Sequence, residues 1–425
     1  MSKIVLIGAG SAMFGLGALG DIFKSKTLRG SEIALVDINK KALDEVEQVA
    51  LHFISDNNLD YTISATTDRK KALPGADFVL ISIEVGNRYK LWEMDWHLPQ
   101  QFGIKQVYGE NGGPGGIFHS LRIIPPILAI CKDIVRLCPD SYIFNLSNPM
   151  TNIMTAITRK YPQLKIIGLC HEVSSLIIHL PKILQIPAEE LEITAGGLNH
   201  FSVLLDAKYR KTGKSAMDAI WEKAAGYFEG TMERGLFMQI MKYFGKIPIT
   251  TDSHFSEYIQ WSQQVADHAG VLNFYTNYKK ECLGHQIDKY QRIKSGTAPE
   301  EYWRVVPIME SILNNSGRRE LAVNLVNDGY ISALPADTVV EVPGIVDKNG
   351  VRGINLDAVM PLGFSSLLAN RVGVLRLCAE AAIQGSRELA LQALLVDPTN
   401  DNILNTEKLL DTMIGYQQEY LGYLK

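Results

Sequence analysis

The sequence predicts an α/β protein whose first 190 or so residues form a doubly wound parallel sheet, followed by an α+β lobe. Three observations predict it. Six short apolar runs (3–8, 33–36, 61–65, 77–83, 142–147 and 165–170) are separated by helical or loop segments, the alternation that builds parallel sheets. A glycine turn follows the first run directly. After about residue 195 the alternation breaks down into strand-like stretches flanking amphipathic helices. A chain of 425 residues also exceeds what one hydrophobic core usually organises. Two lobes are therefore expected, 1–195 and 196–425, sharing an extensive interface because no low-complexity linker separates them.

Taken in order, residues 3–8 (KIVLIG) read as a strand that runs into Gly8-Ala9-Gly10-Ser11 and then a helix to about Lys26. The second run ends in Asp37 and leads into NKKALDEVEQVALHFI, apolar at helical spacing. In the second lobe HFSVLLDAKY and DTVVEVPGIVDKNGV read as strands, and the stretches around 215–245, 255–270 and 300–316 as helices. Helical patterns close the chain at about 365–385, 387–396 and 403–421, separated by Gly385-Ser386 and Asp397-Pro398.

Composition excludes several classes. Hydrophobic content of 46%, charged content of 21% and a net charge of −4 describe a globular protein rather than a disordered tail or a nucleic-acid binder. MSKIVLIGAG places a strand where a secretory leader would need a basic region and a longer apolar stretch. IIPPILAIC at 123–131 is short and interrupted by prolines, so no membrane span is expected. Five cysteines, at 131, 138, 170, 282 and 378, form no CxxC pair. That usage suits a reducing, cytoplasmic setting.

Strand, glycine turn, helix and an acidic residue ending the next strand are the parts of a Rossmann-like dinucleotide site. Gly8 would permit the tight turn, Gly10 would let the backbone approach a pyrophosphate at the helix N-terminus, and Ser11 could add a hydroxyl. Asp37 would bind the adenosine ribose hydroxyls and repel the 2′-phosphate of NADP, which favours NAD. Met13 stands where the third glycine of the strict pattern would fall. Farther on, Cys170 ends an apolar strand and His200 precedes another. A thiolate and an imidazole suit a divalent transition metal in an open site, and a buried cysteine with a hydrogen-bonded histidine is the plainer alternative.

Several separated segments, in order over most of the chain, resemble the family 4 glycoside hydrolases: GAGSAMF at 8–14, GGPGGIFHSLRIIP at 112–125, NPM at 148–150, CHEV at 170–173, LNHF at 198–201 and ALPADTVVEVP at 333–343. That family comprises NAD- and divalent-metal-dependent glycosidases related in fold to lactate and malate dehydrogenases. The CHEV tetrapeptide resembles that of the α-galacturonidases, which implies an unphosphorylated α-uronide. Carried over residue by residue, the resemblance makes Cys170 and His200 ligands of a cation such as Mn2+. It makes Asn148 a substrate contact, with Asn199 touching sugar hydroxyls beside the metal. Asp252 falls where the family carries its base, and His171, or the adjacent Glu172, where some members place an acid. Gly109-Glu110-Asn111 departs from the aspartate and threonine that many relatives carry before GGPGG.

The implied chemistry is hydride transfer from sugar C3 to NAD, proton removal at C2, elimination of the C1 substituent, water addition and return of the hydride. Family 4 is an exception to two-carboxylate glycoside hydrolysis. A uronate would need a cation, and Arg88, His119 and Arg122 are candidates. The resemblance also implies a homodimer or homotetramer. The alternatives are an α-glucosidase or α-galactosidase of the same family, a plain NAD-dependent 2-hydroxy acid dehydrogenase, and a nucleotide-sensing binding protein without chemistry.

Overall fold

A computed structural model describes residues 1–10, 14–284, 288–297 and 304–425. Met13 and Ser11 lie outside the described residues. The six apolar runs are strands β1 (Lys3–Ile7), β2 (Glu32–Val36), β3 (Thr62–Thr66), β4 (Phe78–Ile81), β5 (Tyr142–Asn145) and β6 (Lys165–Gly168). They pair in parallel in the order β3-β2-β1-β4-β5-β6. That is the doubly wound order, with ligands expected at the carboxyl ends of the strands.

Strand β7 (Leu191–Leu198), β8 (Phe201–Tyr209), β9 (Arg318–Val326), β10 (Val339–Asp347) and β11 (Gly350–Gly353) belong to the second half. They are antiparallel, and β9 joins β6 through Gly168 and Asn324, so one sheet of eleven strands crosses both halves. Neither β7 nor β9 stood out in the sequence as a strand. Both carry charged residues at their starts, Glu192 in one and Arg318 to Glu320 in the other, which dilute the apolar run.

Both faces of the parallel part are covered, so its strands can be apolar throughout. Val5, Ile7, Val79 and Ile81 pack into one core with the helices Gly113–Leu137, Met150–Lys160 and Leu362–Gln384. Ile4, Leu6, Phe78 and Leu80 point the other way, into a second core with Phe14–Lys24, Lys40–Asp56 and Val305–Asn314. The alternation is the period-two rule of a strand. C-terminal helices Arg387–Val396 and Ile403–Tyr416 return to the first core through Leu394, Leu409 and Leu410.

Two expectations about helices change. Gly113–Leu137 is one continuous helix of 25 residues through Pro125 and Pro126. A stretch of 18 residues within it reaches a mean hydropathy of 1.3, enough for a membrane span, but 83% of that stretch is buried inside the protein. It is the central core helix. The stretch 255–270, read as helical, consists largely of short turns, Ser256–Tyr258 and Ser262–Gln264, before the long helix His268–Gly284 begins.

Candidate active site

At the first turn the backbone does what the glycines permit. Gly8 has φ of +91°, and a Cβ there would lie 1.9 Å from the Ser82 carbonyl oxygen. Gly10 donates its N–H to Asp37 Oδ2 at 2.8 Å, and a Cβ on Gly10 would meet the same oxygen. The other Asp37 oxygen accepts from Asn39 N. Thus Gly8, Gly10 and Asp37 converge at the carboxyl ends of β1 and β2, a narrow cradle that side chains would fill.

A cleft opens beside this turn, lined by Ile83, Glu84 and Arg88 after β4, by Ser147 and Asn148 after β5, and by Cys170, His171 and Glu172 after β6. Its far wall holds Trp92, Tyr108, Glu110, His200, His254, Phe274 and Tyr278. Gly168 is needed just before Cys170, because a Cβ there would sit 2.6 Å from Met150 Sδ. His200 comes from the two-residue turn of the β7–β8 hairpin, where Leu198 faces Phe201. It adopts a left-handed backbone with φ of 62°, a conformation that costs a non-glycine residue about 1 kcal/mol or more.

The two side chains meet: Cys170 Sγ and His200 Nε2 are 3.1 Å apart, both buried. Burial, with the Glu172 and Glu341 carboxylates, pushes the Cys170 thiol well up. Burial, with His254 and His171, pushes His200 well down, so its imidazole is neutral. A neutral imidazole is the form that binds metal, and a cation would displace the thiol proton. Among the described residues no group of three or more His, Cys, Asp or Glu side chains could hold a metal. The donor set therefore fits an open site that substrate oxygens and water complete.

Asn148 lines the cleft, and its Oδ1 has no hydrogen-bond partner. His171 and Glu172 also face the cleft, with Nε2 and Oε1 3.5 Å apart. Asn199 is not in the cleft lining, but its side chain hydrogen-bonds the Cys170 thiol. Its Nδ2 also donates to Glu341 Oε2 at 2.9 Å, so the amide links the thiol to that buried carboxyl.

Asp252 also lies elsewhere. It is fully buried, and its carboxylate accepts from Leu236 N, Phe237 N and Asp267 N at 2.9, 2.9 and 2.8 Å. Three backbone donors occupy it, two of them at the start of the helix Gly235–Phe244. The residue from that segment that reaches the cleft is His254, whose ring is 4.4 Å from that of His200. Its Nδ1 lies 3.5 Å from Glu257 and 3.7 Å from Glu110. Burial alone would lower its pKa, but these carboxylates and Glu172 outweigh it and hold it at about 9. A histidine two positions from the expected aspartate was the available signal.

The Gly109-Glu110-Asn111 loop now has a role. Glu110 N and Asn111 N both donate to Glu257 Oε1, and Glu110 Oε1 pairs with Arg88 at 2.5 Å. Gly112, Gly115 and Gly116 let this loop and Glu257 approach the start of the core helix, since a Cβ on each would meet their backbone within 2.7 Å. His119 bonds the Glu110 carbonyl at 2.9 Å and approaches Glu84 at 3.4 Å. For Glu84, the charges of His119 and Arg88 outweigh burial and bring its pKa to about 2. Arg122 lies beneath the cleft, buried against Asp95 and Gln417. Neither His119 nor Arg122 reaches the cleft surface.

Comparison with known proteins agrees with this arrangement. The model of the family 4 glycosyl hydrolases matches residues 3–186, and the model of that family's C-terminal domain matches 195–400. An α-glucosidase of Erwinia rhapontici is 49% identical across all of both chains. An α-galacturonidase of Thermoanaerobacterium saccharolyticum is 28% identical, over 98% of this chain and 96% of its own. A solved 6-phospho-α-glucosidase from gut microorganisms, in complex with NAD and Mn2+, shares the fold with a TM-score of 0.81 at 21% identity over the whole of both chains. Matched along both halves, the chain belongs to family 4 of the glycosyl hydrolases.

Proposed function

We propose that the protein hydrolyses neutral α-glucosides, with NAD at the Gly8–Gly10–Asp37 turn and a divalent cation, manganese for preference, on Cys170 and His200. The observation that carries the choice of a neutral sugar is the charge of the cleft. Arg88 is the one arginine or lysine lining it among the described residues, and that guanidinium is spent on Glu110. Glu84, Glu110 and Glu172 face the same space. Three glutamates in the lining outnumber Arg88 and the charged His254, so a substrate carboxylate would meet net negative charge from the side chains there. The uronide suggested by CHEV fits this cleft less well than a glucoside, and the 49% identical relative is an α-glucosidase.

When bound, the nicotinamide supplies a hydride acceptor and the cation a Lewis acid. The chain's own residues do the rest. Asn148 offers its unpartnered amide oxygen to a sugar hydroxyl. With Asp252 occupied by the backbone, His171 and Glu172 are the pair placed to move protons at the substrate.

The test is release of nitrophenol from 4-nitrophenyl α-glucoside and α-galacturonide with NAD, Mn2+ and reductant. Faster release from the glucoside is expected, with solvent deuterium at C2 of the glucose. Preference for the galacturonide would defeat the reading of the substrate, and absence of deuterium the reading of the mechanism.

A further inference from the structure

The helix His268–Gly284 divides its aromatic residues between two tasks. Tyr275, 4% exposed, anchors it in the cluster of Trp92, Trp96 and Tyr108. Phe274 and Tyr278, one turn apart, line the cleft instead. Their rings are stacked side by side, 6.1 Å between centroids and within 14° of parallel. Phe274 is 39% exposed, so packing against the protein accounts for only part of it.

Ring contacts give the wall an order. His254 lies 4.4 Å from His200, Tyr108 lies 5.2 Å from His254, and Phe274 lies 6.3 Å from Tyr108. The wall thus leads stepwise from the Cys170–His200 pair to the two rings. Arg88 braces this end, its guanidinium 5.3 Å from the Trp92 ring and 5.8 Å from that of Tyr278.

We propose that Phe274 and Tyr278 form the subsite for the leaving group, a second hexose ring of an α-linked glucose disaccharide. A pyranose presents a face of C–H groups that packs on aromatic rings, while its hydroxyls stay directed to the rim and to water. This subsite rests on the α-glucosidase reading, since the first sugar must sit at the Cys170–His200 end for the second to reach Phe274.

The experiment compares kcat/KM for maltose and isomaltose with that for methyl α-glucoside, which has no second ring. Phe274→Ala lowers the ratio of either disaccharide to the methyl glucoside about tenfold, the order of one lost ring contact, mainly through KM. Tyr278→Phe keeps the ring and keeps the ratio. An unmoved ratio in Phe274→Ala, or an equal fall for all three substrates, overturns the subsite alone. A wild-type enzyme that hydrolyses no glucoside overturns the function reading and the subsite with it.

Discussion

Asp252 and His254 stand two positions apart, and only the histidine lines the cleft while the aspartate is held by the backbone. Three amide hydrogens converge on the Asp252 carboxylate, and burial is the largest influence raising its pKa. Removing it leaves three buried donors without a partner, each worth about 1–3 kcal/mol. Asp252→Ala is expected to lower unfolding free energy in urea by several kcal/mol, and any loss of activity should follow the loss of folded protein. A variant Asp252→Asn that stays fully stable yet loses all turnover would restore it as the base. The resemblance points to the aspartate because its segment falls where the family carries its base. Nothing in a linear sequence announces that Leu236, Phe237 and Asp267 will gather around it. Cys170 and His200 stand at the ends of strand-like runs, but it is the CHEV and LNHF segments of the resemblance that mark them as ligands.

Among the elements, the first strand, turn and helix were read most directly, because apolar β-branched runs and glycines are local signals. The two glycines do different work. Gly8 needs a left-handed backbone and abuts the Ser82 carbonyl, whereas Gly10 only has to leave room for the Asp37 side chain. Gly8→Ala should therefore destabilise the fold by about 2 kcal/mol or more, strain and collision acting together. Gly10→Ala should cost less stability and mainly weaken NAD binding, measured by calorimetric titration. Equal effects of the two on stability would contradict this division. Elements of the second half were harder to read. Strand β9 reaches its place by pairing with β10 over most of its length, a long-range partnership that leaves no periodic trace in its own charged start. The prolines of the core helix misled for a related reason. Propensity disfavours them, but the helix runs on through both within a core whose packing outweighs propensity.

At the scale of the whole molecule, the sheet does not stop where the two family models meet. Strand β6 pairs with β9, and the last helices fold back onto the first core, so the halves share their hydrophobic interior. Length and composition pointed to two lobes, but the shared interior arises from contacts between residues hundreds of positions apart, such as Leu121 with Tyr423. The thiol of one half and the imidazole of the other meet beside the boundary between the halves, 3.1 Å apart. An ion seated there would act as a rivet between the end of β6 and the β7–β8 hairpin, closing a stretch of 30 residues. Binding only the folded form at a hundred times its dissociation constant adds about 2.7 kcal/mol. The melting temperature should accordingly climb with added Mn2+ and stay flat in Cys170→Ser, or a flat wild-type curve would show the rivet missing. Heat alone, with neither sugar nor nucleotide in the tube, would then serve as a gauge of metal occupancy.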